Sequence, residues 1–110
     1  MRIEYDATKD RRNVEQRGIS FDSAAQLLDS EPLIVEDTRR DYRERRFIAY
    51  GWLGDRLHVC VYTLRGDAYR IISLRKANRR EIGAYRAEVV RGSEEIGRED
   101  GLEAHRRDDG

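Results

Sequence analysis

Apolar and polar residues alternate through MRIEY at the start of the chain, as they do in a short strand. ATKDRRNVEQR follows with little apolar content, bracketed by Asp6, a side chain suited to an N-cap, and by Gly18, placed as a C′ stop. That pattern predicts a mostly polar helix. Ser20 or Asp22 can cap a second helix through SAAQLLDS, where Ala24, Ala25, Leu27 and Leu28 supply an apolar stripe and Pro32 ends the element. Three runs of strand character come next: LIVEDT at 33–38, RRFIAYGWL at 45–53 and RLHVCVYTL at 56–64, with Gly54-Asp55 as a tight hairpin turn. Arg65-Gly66-Asp67 turns into a further run, AYRIISLRKA, so residues 45–76 read as an antiparallel meander. Strict alternation in this last run puts Arg70 and Arg75 on opposite sides of the sheet.

Asn78 begins a final helix, and Glu81 three residues later completes the N-x-x-E spacing of a capping box. Ile82, Tyr85 and Val89 share one face of that helix. Beyond Val90 the sequence RGSEEIGREDGLEAHRRDDG has Ile96 and Leu102 as its large aliphatic residues and repeated glycine, which predicts a frayed tail. The expectation is one α+β domain over residues 1–90: a curved antiparallel β-sheet of about four strands, two N-terminal helices and one C-terminal helix. A charged, flexible tail over 91–110 completes the chain.

Composition narrows the function less than the pattern does. The 110 residues suffice for one modest core, and 22 Lys+Arg cancel 22 Asp+Glu. The distribution is uneven: residues 1–90 hold 18 cations against 15 acids, a net of +3, and residues 91–110 hold 4 against 7, a net of −3. All the cations but Lys9 and Lys76 are arginine. The lone Cys60, inside an apolar run, excludes a disulfide framework and fits a reducing compartment. His58 and His105 are too few and too far apart for a zinc site, so no metal or cofactor is expected. The N-terminus lacks the apolar stretch of a signal peptide and no segment is long enough to span a bilayer, so a cytoplasmic protein is expected.

Several side chains could carry chemistry. Lys9, Asn13 and Arg17 fall at i, i+4 and i+8, presenting two cations and an amide along one helix face, although plain solvation is the commoner meaning of such a face. Arg75, at a strand end beside a helix N-terminus, is placed to meet an anion. Arg79 and Arg80 in the first helical turn oppose the helix dipole, a cost that a bound polyanion or nearby carboxylates such as Glu81 would offset. Glu81 reads as the capping carboxylate or as a base, and Tyr85 as a core residue or a hydroxyl at a site. His58 shares a face with Cys60 and Tyr62, as a satisfied histidine would. RRDYRERR at 39–46 reads as a basic, aromatic-bearing loop for RNA or as a self-paired solvated one.

These pieces, in this order, resemble the BrnT family, ribonuclease toxins of bacterial type II toxin–antitoxin modules with a RelE-like fold. The resemblance rests on Lys9 and Asn13 before Gly18, on Ser20-Phe21, on VYT-x-RG at 61–66 and on RIIS-x-RKA-x-RRE at 70–81, and it spans residues 1 to about 86. It departs at Gln16-Arg17, where family members commonly carry Lys-His, and a histidine is the side chain best suited to proton transfer near neutral pH.

The resemblance implies RNA cleavage without a metal, by attack of a 2′-hydroxyl on the adjacent phosphate. It makes Arg70 and Arg75 phosphate clamps, Glu81 and Tyr85 the groups that exchange protons, and Lys9, Asn13, Arg17, Arg79 and Arg80 contacts to the RNA. It also implies neutralisation by a BrnA-like antitoxin, through which operator DNA would be bound. The alternative is a non-catalytic module that binds such an antitoxin and modulates its hold on DNA, since a shared fold does not establish shared chemistry.

Overall fold

A computed structural model describes the backbone of residues 1–103 and the side chains of residues 1–92. In chain order it contains β1 (Arg2–Glu4), α1 (Ala7–Arg17), a 3-10 turn (Phe21–Ser23), α2 (Ala24–Leu28), β2 (Leu33–Glu36), β3 (Arg46–Leu53), β4 (Arg56–Arg65), β5 (Ala68–Lys76) and α3 (Arg79–Glu103). Met1–Ala77 forms one compact unit and a second begins at Asn78. The expected flexible tail lies largely outside the described residues: α3 runs to Glu103, but side chains past residue 92 and all of 104–110 are not described.

The α+β class is as expected, while the sheet differs in detail. It has five strands in the order β1-β5-β4-β3-β2 and is mixed, because β1 pairs parallel with β5. The meander itself is antiparallel throughout. Gly54 (φ 63°) and Gly66 (φ 60°) each take the first place of a two-residue turn, where only glycine is unstrained, and so fix the registers Leu53↔Arg56 and Arg65↔Ala68. The extra strand is β1, only three residues long, which the chain enters before α1 and lays against Ala68–Arg70.

One irregularity in β5 matters for the site. Val61 pairs with Ser73 but Tyr62 pairs with Ile71, so Ile72 is an extra residue opposite the β4 ladder. Directly opposed residues share a face. Ile71 and Leu74 therefore both sit with Cys60 and Tyr62 on the core face, while Arg70, Ser73 and Arg75 share the other with Thr63, Val61 and Val59. The opposite-side placement of Arg70 and Arg75 expected from alternation is thus wrong: the bulge reverses the parity of the strand between them.

The 3-10 turn and α2 close the core face. Phe21, Ala24, Leu27, Ala49, Cys60, Tyr62, Ile71 and Leu74 are buried together. Gly51 makes the close packing of α2 possible, since a Cβ there would stand 3.0 Å from the Leu27 side chain. Ser20 caps the 3-10 turn by accepting from the Asp22 N–H at 3.1 Å. The Tyr5 hydroxyl donates to Asp22 at 2.7 Å, which ties the end of β1 to that turn, and the carboxylate beside it pushes the phenol up to about 12.

Candidate functional site

Helix α1 begins where the sequence indicates: the Asp6 side chain accepts from the N–H groups of Thr8 (2.8 Å) and Lys9 (3.2 Å). It ends at Gly18, left-handed at φ 71°, whose N–H returns to the Val14 carbonyl. No residue of α1 is buried, so packing does not hold it in place. Polar side chains do. Asp10 accepts from the Phe21 N–H (2.6 Å) and the Ser20 hydroxyl (3.2 Å), and the Asn13 amide donates to the carbonyls of Ile19 (2.9 Å) and Leu74 (3.0 Å). β1 pairs with β5 only as far as Arg70, so the bond to Leu74 sets α1 along the stretch of β5 edge that β1 leaves unpaired.

Between α1 and β5 this leaves an open groove of about 260 Å³. Lys9, Arg12, Arg17 and Arg75 line it together with Asn13, Gln16 and Ser73, over a floor that includes Phe21, Ile72 and Leu74. Its wall holds four cations and no carboxylate, in a chain where the two charges are equal in number. Such a cleft concentrates positive potential and attracts a polyanion. Arg75 anchors its guanidinium partly by donating to the Lys76 carbonyl at 3.2 Å.

The family model described as "Ribonuclease toxin, BrnT, of type II toxin-antitoxin system" matches residues 5–81, which include the whole groove. The chain belongs to the BrnT family of ribonuclease toxins. No individually curated protein matches its sequence. As a BrnT toxin of a type II system it has a cognate antitoxin for a partner.

Within this BrnT chain the residues singled out from sequence fall into three places. Lys9, Asn13, Arg17 and Arg75 meet in the groove. Asn13 does so with both amide hydrogens already given to backbone carbonyls, a positioning task. Arg70 shares the face of Arg75 but lies outside the groove lining, beside Glu4 at 3.5 Å. An arriving phosphate would meet it with a carboxylate already in attendance. Arg79, Arg80, Glu81 and Tyr85 belong to the second unit, where Arg79 and Arg80 are exposed and Glu81 and Tyr85 half-buried. The capping box there is complete: the Asn78 N–H donates to Glu81 Oε1 at 2.9 Å and the Glu81 N–H to Asn78 Oδ1 at 2.8 Å.

Arg12 and Ser73 line the BrnT groove without having been singled out, and Gln16, noted in the sequence only as part of the Gln16-Arg17 departure, lines it with them. Arg12 and Gln16 were findable, since they lie at i+3 and i+7 from Lys9 on a helix. Ser73 was not, because its placement depends on the bulge at Ile72.

The RRDYRERR loop turns out to be largely self-paired. Asp37, whose side chain is 2% exposed, accepts from Arg39 Nε and Nη2 (both 2.9 Å), the Arg39 N–H (3.2 Å) and the Tyr42 hydroxyl (3.0 Å). The Arg39 guanidinium holds its carboxyl well below the usual range. Arg45 forks onto Glu36, and Arg46 lies over the Tyr42 ring at 4.3 Å. His58 is buried, its Nδ1 donating to the Arg56 carbonyl at 2.9 Å, and burial pushes the Cys60 thiol up to about 12. Among the described residues no three His, Cys, Asp or Glu side chains gather as a metal site, and no helix is long and apolar enough to cross a membrane.

Proposed function

We propose that this BrnT-family chain is an endoribonuclease whose substrate backbone lies in the groove between α1 and β5. The observation that carries the reading is the charge of that groove, four cations with no carboxylate among its lining side chains. In the proposed reaction the 2′-oxygen attacks the adjacent phosphorus and the bond to the 5′-oxygen breaks, leaving a 2′,3′-cyclic phosphate and a 5′-hydroxyl. The 2′-hydroxyl gives up one proton and the departing 5′-oxygen takes one. Cleavage then requires a positioned backbone, stabilisation of the added negative charge and two proton transfers, all within reach of side chains alone.

Arg75 supplies the charge stabilisation in this scheme, with Arg70 as a second clamp along the same face. Lys9, Arg12 and Arg17 grip the flanking phosphates, and Asn13 keeps α1 at the distance the groove needs. Arg79 and Arg80 are further RNA contacts from α3. The family resemblance, rather than the groove's lining, makes Glu81 and Tyr85 the candidates for proton exchange, Glu81 in addition to its capping bond. Cleavage of cellular RNA in the cytoplasm would stop translation and growth until a BrnA-like antitoxin neutralises the toxin, and operator DNA would be reached only through that antitoxin.

One observation favours a second reading, a module that binds the antitoxin without cutting RNA: Asn13 and Glu81 are both committed to structural hydrogen bonds. The family resemblance adds that this chain has Gln16-Arg17 where Lys-His would be expected. Inducing wild type and Arg75→Ala in a host lacking the antitoxin separates the two. The nuclease predicts growth arrest and degraded RNA with wild type, and neither with a soluble, folded Arg75→Ala. Intact RNA after expression of folded wild type would leave the binding module.

A further inference from the structure

Each free stretch of the sheet's edges is managed in a different way. β1 is three residues long and carries Arg2 and Glu4, with Arg2 paired to both Glu4 and Asp67, a short charged edge that discourages further pairing. The part of β5 beyond β1 is occupied by α1 through Asn13. β2, at the far end of the strand order, is also short, but its one charged side chain, Glu36, sits at its end and is already held by Arg45, and the rest of the strand is apolar. Its residues Leu33–Glu36 include no proline and no lysine, and Ile34 and Val35 are 45% and 43% exposed.

The register shows which backbone groups this edge offers. The Asp37 N–H donates inward to the Arg46 carbonyl at 2.8 Å, continuing the ladder Leu33↔Tyr50 to Glu36↔Phe47. Successive residues of a strand turn their N–H and C=O to opposite sides. Leu33, Val35 and Asp37 therefore bond to β3, and Ile34 and Glu36 present theirs outward. The loop that follows β2 adds charge. Arg39 is held by Asp37, Arg45 by Glu36 and Arg46 by the Tyr42 ring, whereas Arg40 and Arg43 are exposed and make no ion pair among the described residues.

We infer that β2 is a docking edge for an extended segment of the cognate antitoxin. The segment adds a strand through the backbone groups of Ile34 and Glu36, packs apolar side chains against Ile34 and Val35, and carries acidic residues that reach Arg40 and Arg43. Strand addition takes its affinity from main-chain bonds and its specificity from alternate side chains and flanking charge, which this edge and loop provide. A nucleic acid cannot extend a main-chain ladder, and the cations suited to RNA lie at the other side of the sheet, along β5. The inference draws on the family's antitoxin and not on RNA cleavage, so it stands or falls separately from the nuclease reading.

Amide hydrogen exchange on the purified chain, alone and in complex with its cognate antitoxin, is the test. Protection of the Ile34 and Glu36 amides in the complex is expected, and free exchange of both in a saturated complex would overturn the inference. Ile34→Pro removes the outward N–H while sparing the ladder to β3. It should weaken antitoxin binding by about tenfold, the loss of roughly one well-made hydrogen bond, and leave RNA cleavage and growth arrest as in wild type. Ile34→Val keeps both the N–H and the apolar contact and should bind nearly as wild type does. Arg40→Ala with Arg43→Ala should weaken the complex and flatten its salt dependence; unchanged affinity in this pair and in Ile34→Pro would argue against the edge. Concentration-dependent protection of the same amides in the chain alone would assign β2 to a second copy and overturn the antitoxin proposal.

Discussion

Asn13→Ala isolates the contact on which the groove depends. Two hydrogen bonds disappear, to Ile19 and Leu74, and both carbonyls are left beside a methyl group. At roughly 1 kcal/mol net per bond the loss is about 2 kcal/mol, and because α1 buries no side chain, little packing offsets it. For a domain of this size that corresponds to a fall in Tm of about 10 °C if α1 unfolds with the rest. If α1 instead lifts off by itself, the same loss appears as amide exchange about 30-fold faster across residues 7–17 with a smaller change in Tm. Asn13→Asp should be worse than Asn13→Ala above pH 5, since it turns a carboxylate toward two carbonyl oxygens. Differential scanning calorimetry and hydrogen exchange on the three proteins make the comparison. A Tm within 1 °C of wild type together with unchanged exchange in α1 would refute the anchoring role and return Asn13 to the RNA-contacting residues.

Other parts of the structure predict distinct behaviour. Asp37→Asn should lower Tm at pH 7 by weakening the fork from Arg39 and loosening the 37–46 loop. The Asp37 carboxyl is depressed in the folded chain, so its contribution is fully present above the unfolded value near 3.9 and is lost as pH falls toward the lower folded value. The Tm gap between wild type and Asp37→Asn should therefore narrow below about pH 4, and a gap that widens in acid would contradict the assignment. Gly51→Ala should cost about 1–3 kcal/mol in urea unfolding, because the new methyl meets Leu27 at 3.0 Å. Cys60, fully buried with its thiol pushed up to about 12, should resist alkylation in native protein and react at once in denaturant.

Local signals carried much of this in the sequence. Asp6 and Gly18 bound α1 because capping chemistry acts within a turn of the residue concerned, and Gly54, Gly66 and the Asn78–Glu81 box announced themselves for the same reason. What was hidden depends on partners distant in the chain. The parallel seat of β1 on β5 joins Arg2 to Ala68, and no alternation within MRIEY encodes it. The bulge at Ile72 exists only relative to the β4 register, so a period of two misplaced Arg75 with respect to Arg70. The helical spacing of Lys9, Asn13 and Arg17 revealed one wall of the groove, but not that Asn13 reaches a carbonyl 61 residues away. For the 39–46 cluster, composition left two meanings open, and the buried carboxylate of Asp37 decides for self-pairing over much of it.

The most direct test of the nuclease reading is the chemistry of the cut ends. Purified wild type and Arg75→Ala, matched in Tm, would be incubated with a defined single-stranded RNA in the presence of a chelator, and the products examined for their termini. Attack by the 2′-hydroxyl predicts 2′,3′-cyclic phosphate and 5′-hydroxyl ends from wild type, formed about 100–1,000-fold more slowly by Arg75→Ala, the usual cost of removing one charge-stabilising donor. 3′-Hydroxyl and 5′-phosphate ends, or equal rates from the two proteins, would contradict it.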